Sequence, residues 1–235
     1  MAITQSSHLE ATKQEPHVEA HVALQPIAAP SILGLFGFAG ATFMVAANLA
    51  GWYGDLRTPR FLFPFAAMFG GLAQFLAGMW AVKARDGLAS AMHGTWGAFW
   101  LAYGVLELLF ALRVMPEPAG AFPALAFWFV ILAAVTWSGA AAALATHAAL
   151  VSVLTILAAG STLMAIATFL GSETLRVISG YVFMASALAA WYTATALMLE
   201  ETFDRPILPL GHSAHAKQRA RVAVGIGEPG VVHGQ

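Results

Sequence analysis

The chain reads as an all-α integral membrane protein of six transmembrane helices, and three observations carry that reading. Of its 235 residues, 59% are hydrophobic and only 10% are charged, against roughly a quarter charged in an average soluble domain; the mean hydropathy is +0.73. The apolar part of the chain breaks at its charges and Pro/Gly clusters into six runs. Each is close to the ~20 residues that a helix needs to cross a hydrocarbon core ~30 Å thick. The runs are continuous and alanine-rich, not alternating as the strands of a membrane barrel would be.

In order, the expected spans are residues 31–53, 61–82, 89–112, 122–144, 148–170 and 177–199. The first opens on Pro30-Ser31, where the fixed φ of proline suits a first helical turn. "RVMPEPAG" (113–120) closes the third. Nothing charged lies between Glu117 and Glu173; that stretch is too long for one span and divides near Thr146–His147. Small residues recur at helical spacing (Gly34, Gly37 and Gly40; Ala47 and Gly51; Gly71 and Gly78). Such faces let helix backbones approach closely inside a membrane.

The six-span domain takes residues 30–202. Residues 1–29 are polar, with Glu10, Glu15 and Glu19, and lack the basic start and apolar core of a signal peptide. Residues 203–235 carry Arg205, Lys217, Arg219 and Arg221 and read as a second tail. Lysine and arginine near span ends set orientation. With the N-terminus inside, inner segments hold Lys13, Lys83, Arg85, Arg205, Lys217, Arg219 and Arg221, whereas outer loops hold Arg57, Arg60, Arg113 and Arg176. Both tails are therefore expected in the cytoplasm.

Several function classes lose support at once. A net charge of −1 gives nucleic acid no electrostatic attraction. The absence of cysteine removes disulfides, thiolate metal sites and cysteine nucleophiles. No nucleophile–base pair, metal cluster or phosphate loop stands in the spans, so neither an enzyme nor a cofactor or metal is expected. His212 and His215 have a spacing that suits metal, but a tail is a weak setting for it. His93 and His147 fall near one face of the membrane, which leaves a haem-binding subunit as a lesser alternative.

Four stretches carry a resemblance. "APSILGLFGFAGATF" (29–43) resembles the "NPAPLGL" signature of the acetate uptake transporter family, the SatP/YaaH-like succinate–acetate permeases. "FGGLAQFLAGMW" (69–80) and "GTWGAFWL" (94–101) resemble that family's second and third helices, and "EETFDRPILPLG" (200–211) its ending. The resemblance spans about residues 29–211. It implies a homo-hexamer in the plasma (inner) membrane, with a pore in each protomer. It also implies small carboxylates as substrates, acetate foremost and succinate in some members, with uptake linked to protons. It places a pore constriction at Phe38, Trp96 and Leu157. This chain departs from the family pattern at Ala29 and Ile32, where the signature has asparagine and proline, and at Trp96, where it has tyrosine. A sensor that keeps the fold without transporting is the alternative that Trp96 raises, since its bulk narrows the waist.

Spacing allows such a ring. Phe38 lies seven residues after Ser31, Trp96 seven after Ala89 and Leu157 nine after Ala148, within one turn of the same depth at about 1.5 Å per residue. At about 100° per residue, Ser31, Gly34, Thr42 and Leu49 share the face of Phe38. Leu150, Ser161, Met164 and Thr168 share the face of Leu157, and Trp100, Tyr103 and Glu107 that of Trp96. A pathway lined by these residues and by Gln74 is expected, with Ser152, Thr155 and Thr162 turned away to bond their own helix. With no Lys or Arg in the middle of any span, an anion would be held by hydroxyl, indole and amide donors and by helix N-termini. Gln74 and Asn48 each admit a second reading as an interhelical hydrogen bond. Glu107 lies about 8 Å from the outer boundary. It is read either as a wetted vestibule residue beside Arg113, the preferred reading, or as a proton-coupling group.

Overall fold

The computed structural model describes residues 27–55, 57–116 and 123–213. It contains six helices long and apolar enough to cross a membrane: α1 (Pro30–Leu49), α2 (Pro59–Lys83), α3 (Gly87–Ala111), α4 (Pro123–Ala143), α5 (Ala148–Leu170) and α6 (Glu173–Phe203). Short links make successive helices antiparallel, so α1, α3 and α5 start on one face, where α6 also ends. That side is called the terminal face below. Phe61, Phe65, Met68, Phe69 and Leu72 of α2 and Trp191 of α6 are exposed, as a lipid-facing surface requires.

Local chemistry explains each boundary. α1 stops at Leu49, four residues short of the expected Tyr53, because the chain turns there. Gly51 takes φ +77°, and the Asn48 amide donates to the carbonyls of Tyr53 and Asp55 at 2.9 and 3.4 Å. Asn48 thus closes a loop instead of bridging helices. Gly51 serves this turn and not a packing face, since nothing lies within 4 Å of where its Cβ would be. α2 contains Pro64, which lacks the N–H of a regular turn, and continues as a π-helical segment, Ala66–Ala73. Asp86 caps α3 by accepting from the Ala89 N–H at 2.9 Å. His147 caps α5, its Nδ1 accepting from the Leu150 N–H at 3.2 Å. α6 begins four residues before the expected Val177. Ser172 caps it, and Glu173 pairs with Arg176 inside its first turn. Those charges start the helix, because an acid is favourable at the positive end of the helix dipole.

The helices α4, α5 and α6 pack side by side, α6 also packs on α1, and α2 lies between α1 and α3. α3 meets α1 and α4 only lightly, which leaves space along its inner face. Close approach is visible at Gly37, where a Cβ would fall 2.4 Å from the Phe69 carbonyl oxygen, and at Gly78, where it would fall 2.6 Å from the Gly94 nitrogen.

Residues 204–213 fold back onto the terminal face. The Ala148 and Ala149 N–H groups donate to the Gly211 and Leu210 carbonyls at 2.9 and 3.1 Å, and the Ser213 N–H donates to Thr146 at 2.8 Å. Tyr192 donates to the Pro209 carbonyl at 2.8 Å, and Leu210 is buried. The strap thus satisfies N–H groups that the start of α5 would otherwise leave free. The N-terminal tail up to residue 26, His215 and the basic cluster at 217–221 lie outside the described residues.

Candidate functional site

Two cavities meet at Trp96. One, of about 280 Å³, lies toward the terminal face and is lined by Ser31, Phe38, Gln74, Asp86, His93, Trp96, His147, Leu150 and Leu157 among others. The other, of about 210 Å³, lies toward the opposite face and is lined by Thr42, Leu49, Trp96, Phe99, Trp100, Tyr103, Glu107, Phe129, Met164 and Phe183 among others. Phe38, Trp96 and Leu157 are 2%, 3% and 2% exposed and belong to one packed cluster. The Phe38 and Trp96 rings meet edge to face with centroids 6.1 Å apart. Helical register therefore brings together three residues that are far apart in sequence; Trp96 borders both spaces, and Phe38 and Leu157 border the terminal-face one.

The Trp96 ring is fixed from a side that the sequence does not reveal. Its Nε1 donates to Thr136 Oγ1 of α4 at 3.0 Å, and that hydroxyl in turn donates to the Leu132 carbonyl at 2.6 Å. The indole N–H is therefore already satisfied and is not available to a solute. On the same helix, Phe99 meets Trp96, Trp100 and Phe129 with centroids 5.4, 5.1 and 5.8 Å apart, and Trp100 meets Tyr103 edge to face. Such edge-to-face arrays hold rings rigidly. The stripe of Trp96, Trp100, Tyr103 and Glu107 faces the second cavity, with half-buried Glu107 within interaction range of Tyr103.

Not every expected lining residue reaches a cavity. Ser161 and Thr168 donate to the Leu157 and Met164 carbonyls one turn back, at 2.9 and 2.8 Å, and border neither space. Their hydroxyls follow the bonding that the sequence reading assigned to Ser152 and Thr162, which do donate to Ala148 and Ala158. Helical angle selects a face, but a short hydroxyl on that face still finds its own backbone first. Gly34 does not line the terminal-face cavity either; a Cβ there would lie 2.5 Å from the His93 ring, which occupies the space that glycine leaves.

Among the described residues, four buried side-chain polar atoms have no hydrogen-bond partner: Gln74 Oε1 and His93 Nδ1 in the terminal-face cavity, Thr42 Oγ1 and Trp100 Nε1 in the opposite one. Buried polar atoms are nearly always paired with protein or with ordered water, so each of these four leaves room for a water or a solute partner. Neither cavity is lined by Lys or Arg. Ionisable groups are present nonetheless: Asp86, His93 and His147 in the first, Tyr103 and Glu107 in the second. His147, just before α5, is held down to about 4 by burial and, secondarily, by His212, whose ring lies 5.7 Å away. It is therefore neutral near pH 7. Sequence reasoning misses Thr136 and Phe99 as site residues, and it weighs His93 only as a haem ligand, not as a group lining the path.

The profile of the GPR1/FUN34/yaaH family matches residues 11–209. Among similar proteins is the Ammonia transport outward protein 2 of Saccharomyces cerevisiae, 27% identical over 182 residues, 75% of this chain and 64% of that protein. The Succinate-acetate/proton symporter SatP of Escherichia coli K12 is 26% identical over 189 residues, 80% of this chain and 97% of that protein. A solved structure of the bacterial acetate channel SatP aligns with a TM-score of 0.73 at 24% identity, covering 79% of this chain and all of that one. That structural likeness supports the six-helix fold.

Proposed function

The chain belongs to the GPR1/FUN34/yaaH family, and from that premise we propose that it carries small monocarboxylates, acetate foremost, across a membrane. The path runs through the two cavities and the Phe38–Trp96–Leu157 waist between them. The observation that carries this reading is the pair of cavities that meet at the buried ring of Trp96, each with buried polar atoms lacking partners. A waist of this kind strips water from a solute and turns away hydrated ions, while weak polar sites on both sides let the solute leave again. Thr42 and Trp100 offer O–H and N–H donors to a carboxylate on one side. Ser31 and Gln74 offer theirs on the other.

The naming of the bacterial relative as a succinate-acetate/proton symporter supports proton-linked uptake, with succinate as a further substrate. Glu107 is the candidate for proton coupling at the opposite face. A homo-hexamer in the plasma (inner) membrane with both termini cytoplasmic completes the reading.

The test is uptake into proteoliposomes with a panel of labelled acetate, propionate, succinate and ammonium, for the wild type and for Trp96→Tyr and Trp96→Ala. Acetate flux above that of protein-free vesicles is expected in the wild type, with larger flux and poorer discrimination in Trp96→Ala. Conduction of ammonium alone would overturn the carboxylate reading in favour of the activity named for the yeast relative. Failure of all three proteins to conduct any of the four solutes would favour a non-transporting sensor.

A further inference from the structure

Among the described ionisable side chains that line the terminal-face cavity, His93 is the one a single helical turn from Trp96. It stands one turn before Trp96 on α3, is 5% exposed, and lines the terminal-face cavity. Its Nδ1 is buried with no hydrogen-bond partner. The ring lies on the bare backbone of Gly34, where any Cβ would come within 2.5 Å of it. A buried imidazole ordinarily has its N–H and its lone pair matched by fixed neighbours, which lock one tautomer. This one is left to the cavity.

Its surroundings isolate it. α1 and α4 carry no ionisable residue, and α2 carries only Arg60 and Lys83, at its two ends. The other ionisable groups lining the same cavity, Asp86 and His147, are both engaged as helix caps at the starts of α3 and α5. Among the described residues, the carboxylate that shares the cavity with His93 is therefore that of Asp86, two turns earlier on α3 and engaged as its cap.

We propose that His93 is the proton acceptor of the terminal-face cavity, taking the proton of a carboxylic acid that has crossed the waist in its neutral form. The proposal rests on the monocarboxylate reading above. Phe38, Trp96 and Leu157 present apolar surface, and a neutral acid crosses such a surface at far smaller desolvation cost than its anion. Beyond the waist the O–H bond of the acid breaks and an N–H bond forms on the imidazole. The carboxylate keeps the electron pair and leaves through the terminal-face mouth. The imidazolium then releases its proton to solvent and returns to the neutral state. The pH difference between the two sides sets the direction of net uptake, and His93 sets how fast the proton is handed over.

The experiment uses the full-length protein in proteoliposomes and measures acetate–acetate exchange as a function of pH, with the same pH on both sides. Each crossing of the neutral acid needs both the protonated acid and an unprotonated imidazole, so the wild-type rate should be bell-shaped in pH. In His93→Gln, whose amide fills similar space without titrating, the rate at pH 7 should fall about tenfold and the profile should lose its acid limb, rising steadily as pH falls. That is less than the roughly 10²–10⁴-fold worth of a positioned acid–base group, because solvent also accepts the proton. His93→Asn provides the same reading in a smaller side chain should Gln disturb packing on Gly34. A wild-type rate and profile in a variant that elutes as a folded protein overturns the role of His93 while leaving the carboxylate reading intact. Absence of acetate exchange in the wild type sinks both.

Discussion

The indole Nε1 of Trp96 donates to the hydroxyl of Thr136 at 3.0 Å, across from α3 to α4. This bond couples the narrowest part of the proposed path to a helix that supplies none of the three waist residues. It also explains how a tryptophan is accommodated there, since its N–H has a buried partner and its ring is seated edge-on against Phe38 and Phe99.

Removal of that partner should therefore be felt at the waist. Thr136→Val leaves the indole N–H buried and unpaired, which costs about 1–3 kcal/mol, and frees the ring to tilt. Thr136→Ser keeps the acceptor. The expected result is a lower thermal midpoint in detergent and altered acetate flux for the valine variant, with the serine variant close to wild type. Equal behaviour of the two variants would mean that the hydroxyl does not hold the ring.

Much of this architecture was legible because a membrane span is written as a continuous apolar run, and a run needs no long-range information. The expected boundaries of α5, 148–170, coincide with the helix observed, and the division near Thr146–His147 falls at the His147 cap. Where charges guided the boundary the reading went short, as at Glu173 and Arg176, because charges at a helix start can cap it as well as end it. Helical register located the aromatic stripe of α3. It could not locate Thr136, whose role depends on the packing of α4 against α3. For Ser161 and Thr168, register chose the face but local back-bonding decided where the hydroxyl went. The strap at 204–213 has two prolines and no period to mark it in the sequence; its order comes from backbone groups pairing with the start of α5.

That strap should respond to pH. His147 is held down to about 4, by burial first and by His212 second, against about 6.5 for a free imidazole. Between those values the undocked segment binds a proton that the docked one does not. Docking is therefore at full strength above about pH 6.5 and weakens as pH falls toward 4. Hydrogen-exchange protection of the Ala148 and Ala149 amides, whose acceptors are Gly211 and Leu210, should fall over that window. In His147→Asn, which retains a capping acceptor but does not titrate, the protection should stay level. A level profile in the wild type would show that the histidine pair is not what secures the strap.

Glu107 lies in the opposite-face cavity next to Tyr103, one turn away on α3. A carboxylate there can exchange protons with solvent at the mouth and with a carboxylate bound near Trp100. If it couples proton movement to uptake, Glu107→Gln and Glu107→Leu should flatten the dependence of acetate uptake on external pH, the leucine variant also lowering the rate through loss of a polar surface. Vesicle uptake between pH 5 and 8 reads this directly. A wild-type profile in both variants leaves Glu107 as a wetted vestibule residue and nothing more.

The contact between α1 and the π-helical part of α2 makes a sharper demand on one glycine than on its neighbour. A Cβ at Gly37 would lie 2.4 Å from the backbone oxygen of Phe69, whereas at Gly40 the nearest atom is on the Phe69 ring at 3.3 Å. A ring can swing aside; a carbonyl held within a helix cannot move without carrying the helix with it. Gly37→Ala should then separate α1 from α2 and destabilise the fold by about 1–3 kcal/mol, the usual cost of overpacking. Gly40→Ala should cost only a fraction of that. Thermal unfolding of the two variants in one detergent decides the matter, because equal midpoints would show that the close approach at Gly37 does not constrain the packing of α1 on α2.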